Sequence, residues 1–453
     1  MRWHDTETMS AAETRAPKPA RGDLLELEVE SLAHGGNGVA RANGYVVFVA
    51  GGLPGDRVRA AIRRSRRDYA EADTIEVLRP AADRIEPRCE HGGAPCPGAP
   101  WQTLAYERQL EEKQRQLREA LQRIGGLSGP EPEPIEPALE QWRYRNKLEY
   151  SFGEREGELV LGFHARGRWD VVVDTEDCRL ASDANNAARN SVRTWARDEG
   201  LPPYDRRADT GTLRNLAVRE GRRTGQIQTR LVTAAQQIPR PPVDLHTVIE
   251  GPAGGTEGET GALGKETLTE ELSGLRLEIS PFAFFQTNTE MAERLYAVVA
   301  KYAGLSGRER VFDLYCGIGT IGLVLARDAG EVWGLELVDS AVIDAERNAS
   351  LNGVSNARFR AGDARTGLRP LLEEAGRPDV VVLDPPRSGL SKKIVRRVIE
   401  CEAPRIVYVS CNPTTLAPNA AQLTEAGYRL RRVRPVDMFP QTPHIESVAL
   451  FEK

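Results

Sequence analysis

Cys411 stands in Ser410-Cys411-Asn412-Pro413, directly after an apolar run at 405–409 that reads as a buried strand. A cysteine at the carboxyl end of a parallel strand lies on the rim where open α/β sheets bind ligands. In that place it reads as a nucleophile; an isolated cysteine is more often a small core hydrophobe. Two further motifs share this half of the chain: a glycine-rich stretch, Asp313 to Gly322, and the turn Asp384-Pro385-Pro386-Arg387. A nucleophilic thiol beside a nucleotide loop suits attack on an electron-poor ring. Carbon 5 of uracil is a weak nucleophile, but a thiolate added at carbon 6 turns the ring into an enolate whose carbon 5 can attack a methyl donor. A base must then remove the carbon 5 proton so that the thiolate can leave. Such a thiol should be held below its free value of roughly 8.5 by hydrogen bonds, positive charge or the helix that begins near Thr414.

The base candidates lie in the tail, where Glu446 and His444 both precede a last apolar strand; pattern alone does not separate them. In the glycine-rich stretch, Gly317 and Gly319 let the backbone approach a ligand and Gly322 allows close helix–strand packing. The following strand ends in Glu336, placed for ribose hydroxyls. This spacing also suits NAD. Asp313 and Tyr315 before the glycines, where a carboxylate can meet an ammonium, favour S-adenosylmethionine, as does Gly362-Asp363-Ala364, placed to contact adenine. The prolines of Asp384-Pro385-Pro386-Arg387 stiffen the turn and hold Asp384 over the site. Arg387 stands where adenine N-methyltransferases place an aromatic residue, which argues against that reaction.

These residues need a scaffold. From about 275 onward strands and helices alternate, with strands at 311–314, 332–335, 357–360, 380–383 and 406–409 and helices at 320–328, 340–352, 392–401 and 414–426. That alternation predicts a parallel sheet covered on both faces. Residues 1–21 read as a disordered tail, and 22–80 as a small barrel of short strands separated by Gly-rich turns. Its basic run Arg57, Arg59, Arg63, Arg64, Arg66 and Arg67 reads either as a solvated face or as an RNA-backbone contact. Residues 81–274 form a mixed α+β region: a helix at 101–125, a Pro-rich linker at 130–137, β-rich sequence at 142–245 and a loop or hairpin tip at 251–264. The catalytic domain spans 275–453. The fold class is therefore α/β: a Rossmann-like domain behind a small barrel and a mixed central domain.

Composition narrows the function. With 453 residues and a net charge of −5, the chain is not an overall electrostatic nucleic-acid binder, so any RNA contact rests on local patches. One candidate patch is Trp142-Arg143-Tyr144-Arg145-Asn146-Lys147, which interleaves aromatic and basic residues; an amphipathic strand with cationic edges is the competing reading. No apolar run is long enough to span a bilayer and no secretory h-region opens the chain, so a cytoplasmic location is expected. Six cysteines in this length are expected to be reduced, with chemical or metal roles.

The segments FFQTN (284–288), DLYCGIGTIG (313–322), GLE (334–336), DPPRSGL (384–390), SCNPTTLA (410–417) and DMFPQTPHIESV (437–448) together resemble the uracil-C5 RNA methyltransferases that act on tRNA and 23S rRNA. The front barrel resembles the RNA-binding TRAM domain. The resemblance implies that Gln286, Tyr315, Thr320, Glu336, Asp363 and Asp384 bind S-adenosylmethionine, that Cys411 is the nucleophile and that Glu446 is the proton acceptor. It implies RNA as the partner, with the barrel favouring 23S rRNA. Many members also hold a [4Fe–4S] cluster; Cys89, Cys96 and Cys178 match three of its ligands, while Ala99 stands at the fourth. His91 or an outside ligand is a possible substitute, and zinc or a relic the other readings. Cytosine-C5 methylation and a non-catalytic RNA-binding module are the rival functions.

Overall fold

A computed structural model describes residues 18–89, 96–234, 238–241, 245–249, 260–263 and 267–453. It separates into two compact units, Met1–Ile85 and Glu86–Lys453. Most of the expected N-terminal tail, His91, and most of the 251–264 loop lie outside the described residues.

The first unit is a closed barrel of β1 (Leu24–Leu32), β2 (Gly38–Ala42), β3 (Tyr45–Ala50), β4 (Arg57–Ser65) and β5 (Tyr69–Arg79), in the order β1-β2-β3-β5-β4. Alternating residues such as Leu27, Val29, Val47, Val49, Val58 and Ile62 fill its interior, and closure leaves no edge strand. The basic run is partly spoken for. Arg57 pairs with Glu26 at 2.8 Å, Arg59 with Glu76 at 2.6 Å and Arg63 with Glu71 at 2.8 Å. Only Arg64, Arg66 and Arg67, exposed around the β4–β5 turn, remain from that run as candidates for phosphate contact.

Buried Asp56 accepts the Leu53 and Ala81 amides at 2.7 and 2.8 Å and pairs with Arg84 at 2.5 Å. Asp56→Ala would orphan all three donors, and breaking such a buried pair costs about 3 kcal/mol. Hydrogen exchange in the barrel strands should show this; a loss under about 0.5 kcal/mol would mean that water replaces the carboxylate.

In the second unit, helix α1 (Tyr106–Glu119) is followed by a seven-stranded sheet of β6 (Lys147–Arg155), β7 (Glu158–His164), β8 (Val172–Asp174), β9 (Leu213–Glu220), β10 (Ile227–Thr233), β11 (Leu245–Ile249) and β12 (Thr260–Leu263). Helix α2 (Asp183–Asp198), capped by Ser182, packs on one face of this sheet. It was not anticipated within the β-rich reading of 142–245. Strand β12 takes the last part of the stretch expected to be a loop or hairpin tip and pairs antiparallel with β11. Helix α1 starts five residues later than its apolar spacing suggested, because the 97–104 segment forms turns around buried Trp101.

The hairpin β13 (Leu268–Leu272) and β14 (Leu275–Ile279) and helix α3 (Thr289–Ala303) lead into the second large sheet. Its strands are β15 (Arg310–Leu314), β16 (Glu331–Glu336), β17 (Ala357–Ala361), β18 (Val380–Leu383), β19 (Arg405–Ser410), β20 (Arg429–Val436) and β21 (Glu446–Glu452). The order is β17-β16-β15-β18-β19-β21-β20, parallel through β19, with β21 antiparallel to both its neighbours. Helices α4 (Thr320–Leu325), α5 (Asp339–Leu351), α6 (Ala364–Ala375), α7 (Lys392–Glu400) and α8 (Pro413–Glu425) intervene. Val380 to Leu383 and Ile406 to Val409 are fully buried, as strands covered on both faces must be. The expected Pro-rich linker is not a free tether. The Glu133 and Glu136 amides donate to the Val433 and Pro435 carbonyls at 2.8 and 2.9 Å, covering the edge strand β20.

Candidate active site

Strand order reverses between β15 and β18, and the crevice at that switch point is where such sheets hold ligands. The residues of interest converge there from the strand ends. Tyr315 follows β15, Asp384 follows β18 and Cys411 follows β19. Glu446 begins the antiparallel β21. Ser410 pairs with Ser447, so the next positions outward, Cys411 and Glu446, leave adjacent strands at the same rim.

The glycine-rich stretch folds as a tight connection into α4. Gly319 has φ +82°, and a Cβ there would lie 2.9 Å from Phe359; Gly317 has φ +54° and a Cβ would meet nothing within 4 Å. One glycine serves packing and the other faces open space. Tyr315 also sits at positive φ, +66°, a strained conformation for a side-chain-bearing residue that concentrates at functional sites. Asp313 is buried under this loop. One carboxylate oxygen accepts the Gly322 amide at 2.8 Å, and the other has no protein partner. Asp313 thus braces the loop, while a Cβ on Gly322 would come within 2.9 Å of that same carboxylate. Glu336 accepts the Gly317 and Val338 amides, each at 3.0 Å, so it ties the loop to the second strand. Asp363 caps α6 through the Arg365 amide at 2.7 Å.

A cavity of about 380 Å³ opens beside this loop, lined by Tyr315, Leu335, Leu337, Asp363, Pro386 and Ile394 among others. Its walls are mainly apolar, with Asp363 as the one acidic lining residue, a setting that suits a nucleoside. Thr320 lies at the start of α4 with its hydroxyl 3.2 Å from that of Tyr296. Gln286 is buried, and its carbonyl accepts from the Asn146 side chain at 2.9 Å.

Burial dominates the electrostatics. It lifts Asp313 to about 8 and Asp384 to about 7. Burial, with the neighbouring Asp384 charge, pushes Glu446 well above the carboxylate range, against the pull of Arg387. The Cys411 thiol is also raised, to about 11, by burial first and then by Glu446, while Arg387 opposes. The expectation of a depressed thiol is therefore reversed. Helix α8 does start beside it, with Asn412 as its cap, but loss of water and two nearby carboxylates outweigh the dipole. Cys411 is the one cysteine among the described residues that is not fully buried, so alkylation can read its state. Iodoacetamide labelling in ligand-free protein should keep rising with pH towards about 11. A plateau near the free-thiol value of roughly 8.5 would show the site to be wetter than the packing implies.

Several supporting residues were missed from sequence. Tyr296 on α3 lies among the acids, its hydroxyl raised by burial with Asp384, Asp313 and Glu446 acting on it. Asn288, the α3 cap, donates to Met438 O at 3.0 Å and joins the Gln286 segment to the tail. The tail itself is bolted to α1. Lys113 and Asp437, both fully buried, pair at 2.5 Å, and the Gln109 and Gln441 side chains meet at 2.9 Å. The cap signal Asn288-Thr289-Glu290 was legible; the long-range partners were not. His444 is held by Arg387 at 2.9 Å and stacks edge-on to Phe439.

Trp142–Lys147 proves largely structural. Arg143 binds Asp177 at 2.7 Å and two main-chain carbonyls, Tyr144 and Asn146 are buried, and Lys147 pairs with Glu149. Cys89, Cys96 and Cys178 are buried together in the central core, in a different place from Cys411. Among the described residues no three Cys, His, Asp or Glu side chains are placed to hold a metal ion. Ala99, 1% exposed in the same cluster, offers only a methyl group. The described residues therefore do not fit a four-thiolate cluster.

The profile of the tRNA (Uracil-5-)-methyltransferase family matches residues 265–453, and that of the TRAM domain matches 20–75. An uncharacterized RNA methyltransferase of Halalkalibacterium halodurans is 36% identical over 448 residues, 95% of this chain and 97% of its own length. The chain belongs to the uracil-C5 RNA methyltransferase family. A second relative, an uncharacterized RNA methyltransferase of Nitratidesulfovibrio vulgaris, is 38% identical across 95% of this chain and 96% of its own. Among solved structures, the Pyrococcus abyssi tRNA (uracil-54, C5)-methyltransferase, determined with S-adenosyl-L-homocysteine, superposes with a TM-score of 0.76. It shares 27% identity and covers 94% of this chain and 100% of its own. As a member of this family the chain is an S-adenosylmethionine-dependent enzyme with an RNA-binding TRAM domain, and among the described residues no helix is long and apolar enough to cross a membrane.

Proposed function

We propose that the enzyme methylates carbon 5 of one uridine in RNA, with 23S rRNA the first target to test, through a covalent adduct between Cys411 and carbon 6 of the base. The observation that carries this reading is the pairing register of β19 and β21, which brings a partly exposed thiol and a buried carboxylic acid to one rim. Bound S-adenosylmethionine supplies an electrophilic methyl group. Tyr315 and Asp363 line the cavity that takes its adenosine, Glu336 serves the ribose, and Gln286, Thr320 and Asp384 hold the remaining polar groups. The thiolate of Cys411 bonds to carbon 6, and carbon 5 takes the methyl group. Glu446, whose carboxyl is raised above its ordinary range in the free protein, must first give its own proton to solvent, and the resulting carboxylate takes the carbon 5 proton as the carbon–sulfur bond breaks, restoring the thiolate. His444, engaged by Arg387, is the poorer candidate for that proton. Extruding the uridine costs a few kcal/mol of stacking, which contacts to the RNA backbone can offset.

A tRNA uridine is the second reading, favoured by the Pyrococcus abyssi enzyme. That match covers 94% of the chain, too large a share to omit the barrel, so the barrel does not discriminate between the two RNAs. Nucleoside mass spectrometry on separated rRNA and tRNA from a deletion strain tests both. Loss of 5-methyluridine at one rRNA position is expected, and loss of a tRNA 5-methyluridine would move the target. Loss of 5-methylcytidine instead would assign the rival cytosine chemistry, and no change in any nucleoside would favour a binding module.

A further inference from the structure

The central sheet has a second face, turned away from α2. Along β6 the buried residues Leu148, Tyr150 and Phe152 alternate with half-exposed or exposed Lys147, Glu149 and Ser151. At the far end of this face a pocket of about 390 Å³ lies between the 164–172 and 203–207 segments. Its floor is a line of hydrogen-bonding side chains: the Asn215 amide donates to the Ser151 hydroxyl at 3.0 Å, which meets the His164 ring at 3.0 Å. Its walls are two aromatic–guanidinium pairs. Arg207 lies 4.9 Å from the centre of Trp169, and Arg214 lies 3.9 Å from that of Tyr204. Trp169 is 55% exposed, although a large aromatic ring is strongly favoured to be covered. None of these groups serves the catalytic rim.

The pocket is joined to that rim by one strand. Asn146, just before β6, binds the carbonyls of Gln286 and Thr287, and Ser151 lies five residues further on. At about 3.3 Å per residue that is roughly 17 Å, the length of about five stacked nucleotides at roughly 3.4 Å each, fewer if extended. Between the two ends, exposed Phe282 carries Arg230 at 5.1 Å over its ring, and Arg230 and Lys147 both pair with Glu149, at 3.7 and 2.8 Å. The pocket also carries Glu154, Asp170 and Asp205, so its charges largely balance, and what it offers a single strand of RNA is exposed aromatic rings on which a base can stack.

We propose that this pocket binds one unpaired base of the substrate RNA, a few nucleotides from the target uridine, so that β6 sets the spacing between two extruded bases. The base stacks against Trp169, and its polar edge faces Ser151, His164 and Asn215. This inference rests on the RNA methyltransferase reading, and its test is separable from the test of that reading.

The probe is an oligoadenylate with one central uridine, in which a single abasic site is moved outward position by position; binding to the full-length protein is read by fluorescence anisotropy. The unmodified enzyme should be sensitive to base removal at the uridine and again at one separate spacing. Trp169→Ala should abolish the second sensitivity, leave the first and weaken binding about 5- to 150-fold, with S-adenosylmethionine affinity unchanged. Binding within twofold of the parent, or an equal loss for every abasic probe, would overturn the pocket, the latter because it marks a backbone contact only. If the parent enzyme transfers no methyl group to any cellular RNA while the Trp169-dependent spacing persists, the methyltransferase reading fails and the base pocket stands.

Discussion

Cys411→Ala is expected to lower methyl transfer by at least about 10⁴-fold, the scale on which losing a covalent nucleophile acts, while S-adenosylmethionine still binds. The side chain sits outside the hydrophobic clusters, partly exposed at the end of β19, so the substitution leaves the sheet's packing intact. The diagnostic readout is covalent. RNA carrying 5-fluorouridine at the target cannot surrender a proton from carbon 5, so the normal enzyme should be trapped as an adduct that survives denaturing electrophoresis, and the alanine variant should form none. An adduct that persists in Cys411→Ala would assign the chemistry to another nucleophile. Retained turnover would remove covalent catalysis altogether.

Glu446→Gln should produce the opposite phenotype with ordinary uridine. Attack and methyl transfer need only the thiolate, but release needs a group to take the carbon 5 proton, and a glutamine amide cannot. Turnover should fall about 10²- to 10⁴-fold, the usual worth of a general base, and the methylated RNA should stay bound to Cys411. The substitution is nearly isosteric and keeps a polar side chain at this buried position, so the variant should fold. A variant that releases product at the normal rate would shift the proton to His444 or to water. Loss of adduct formation would instead show that Glu446 acts before the methyl group moves, by helping to ionise the raised thiol. Arg387, the nearby cation that opposes both shifts, makes that coupling worth measuring in the same experiment.

Much of the site was legible because it lies on short, continuous pieces of chain. Strand, glycine turn and helix follow one another within Arg310–Leu325, and a nucleophile after a buried strand can go only to the rim of a parallel sheet. The same locality made the barrel readable from its alternation and turns. Helices α2, α3 and α6 were not read, although apolar residues recur at helical spacing in each, as with Ala188, Val192, Trp195 and Ala196 on α2. Of the two readings of Trp142–Lys147, the structural one gains the support. Interleaved aromatic and basic residues look alike whether they face solvent or a neighbouring loop, and Asp177 and the Gln286–Thr287 carbonyls decide it here.

By itself the sequence determined the barrel, the glycine turn and the alternation of strands and helices around it, and it nominated the candidate reactive groups, because each follows from backbone sterics and side-chain chemistry over a few residues. Only the tertiary structure decided their proton affinities and their supports. Cys411 has a raised thiol because packing buries it first of all, and because the charges of Glu446, on the neighbouring antiparallel strand, and Asp384, from a strand end 27 positions earlier, add to that burial. Lys113 fastens the tail that presents Glu446 through Asp437, 324 residues away, and Cys89, Cys96 and Cys178 come together in one buried cluster. Desolvation and long-range pairing depend on what surrounds a group in three dimensions, and no local pattern along the chain encodes that.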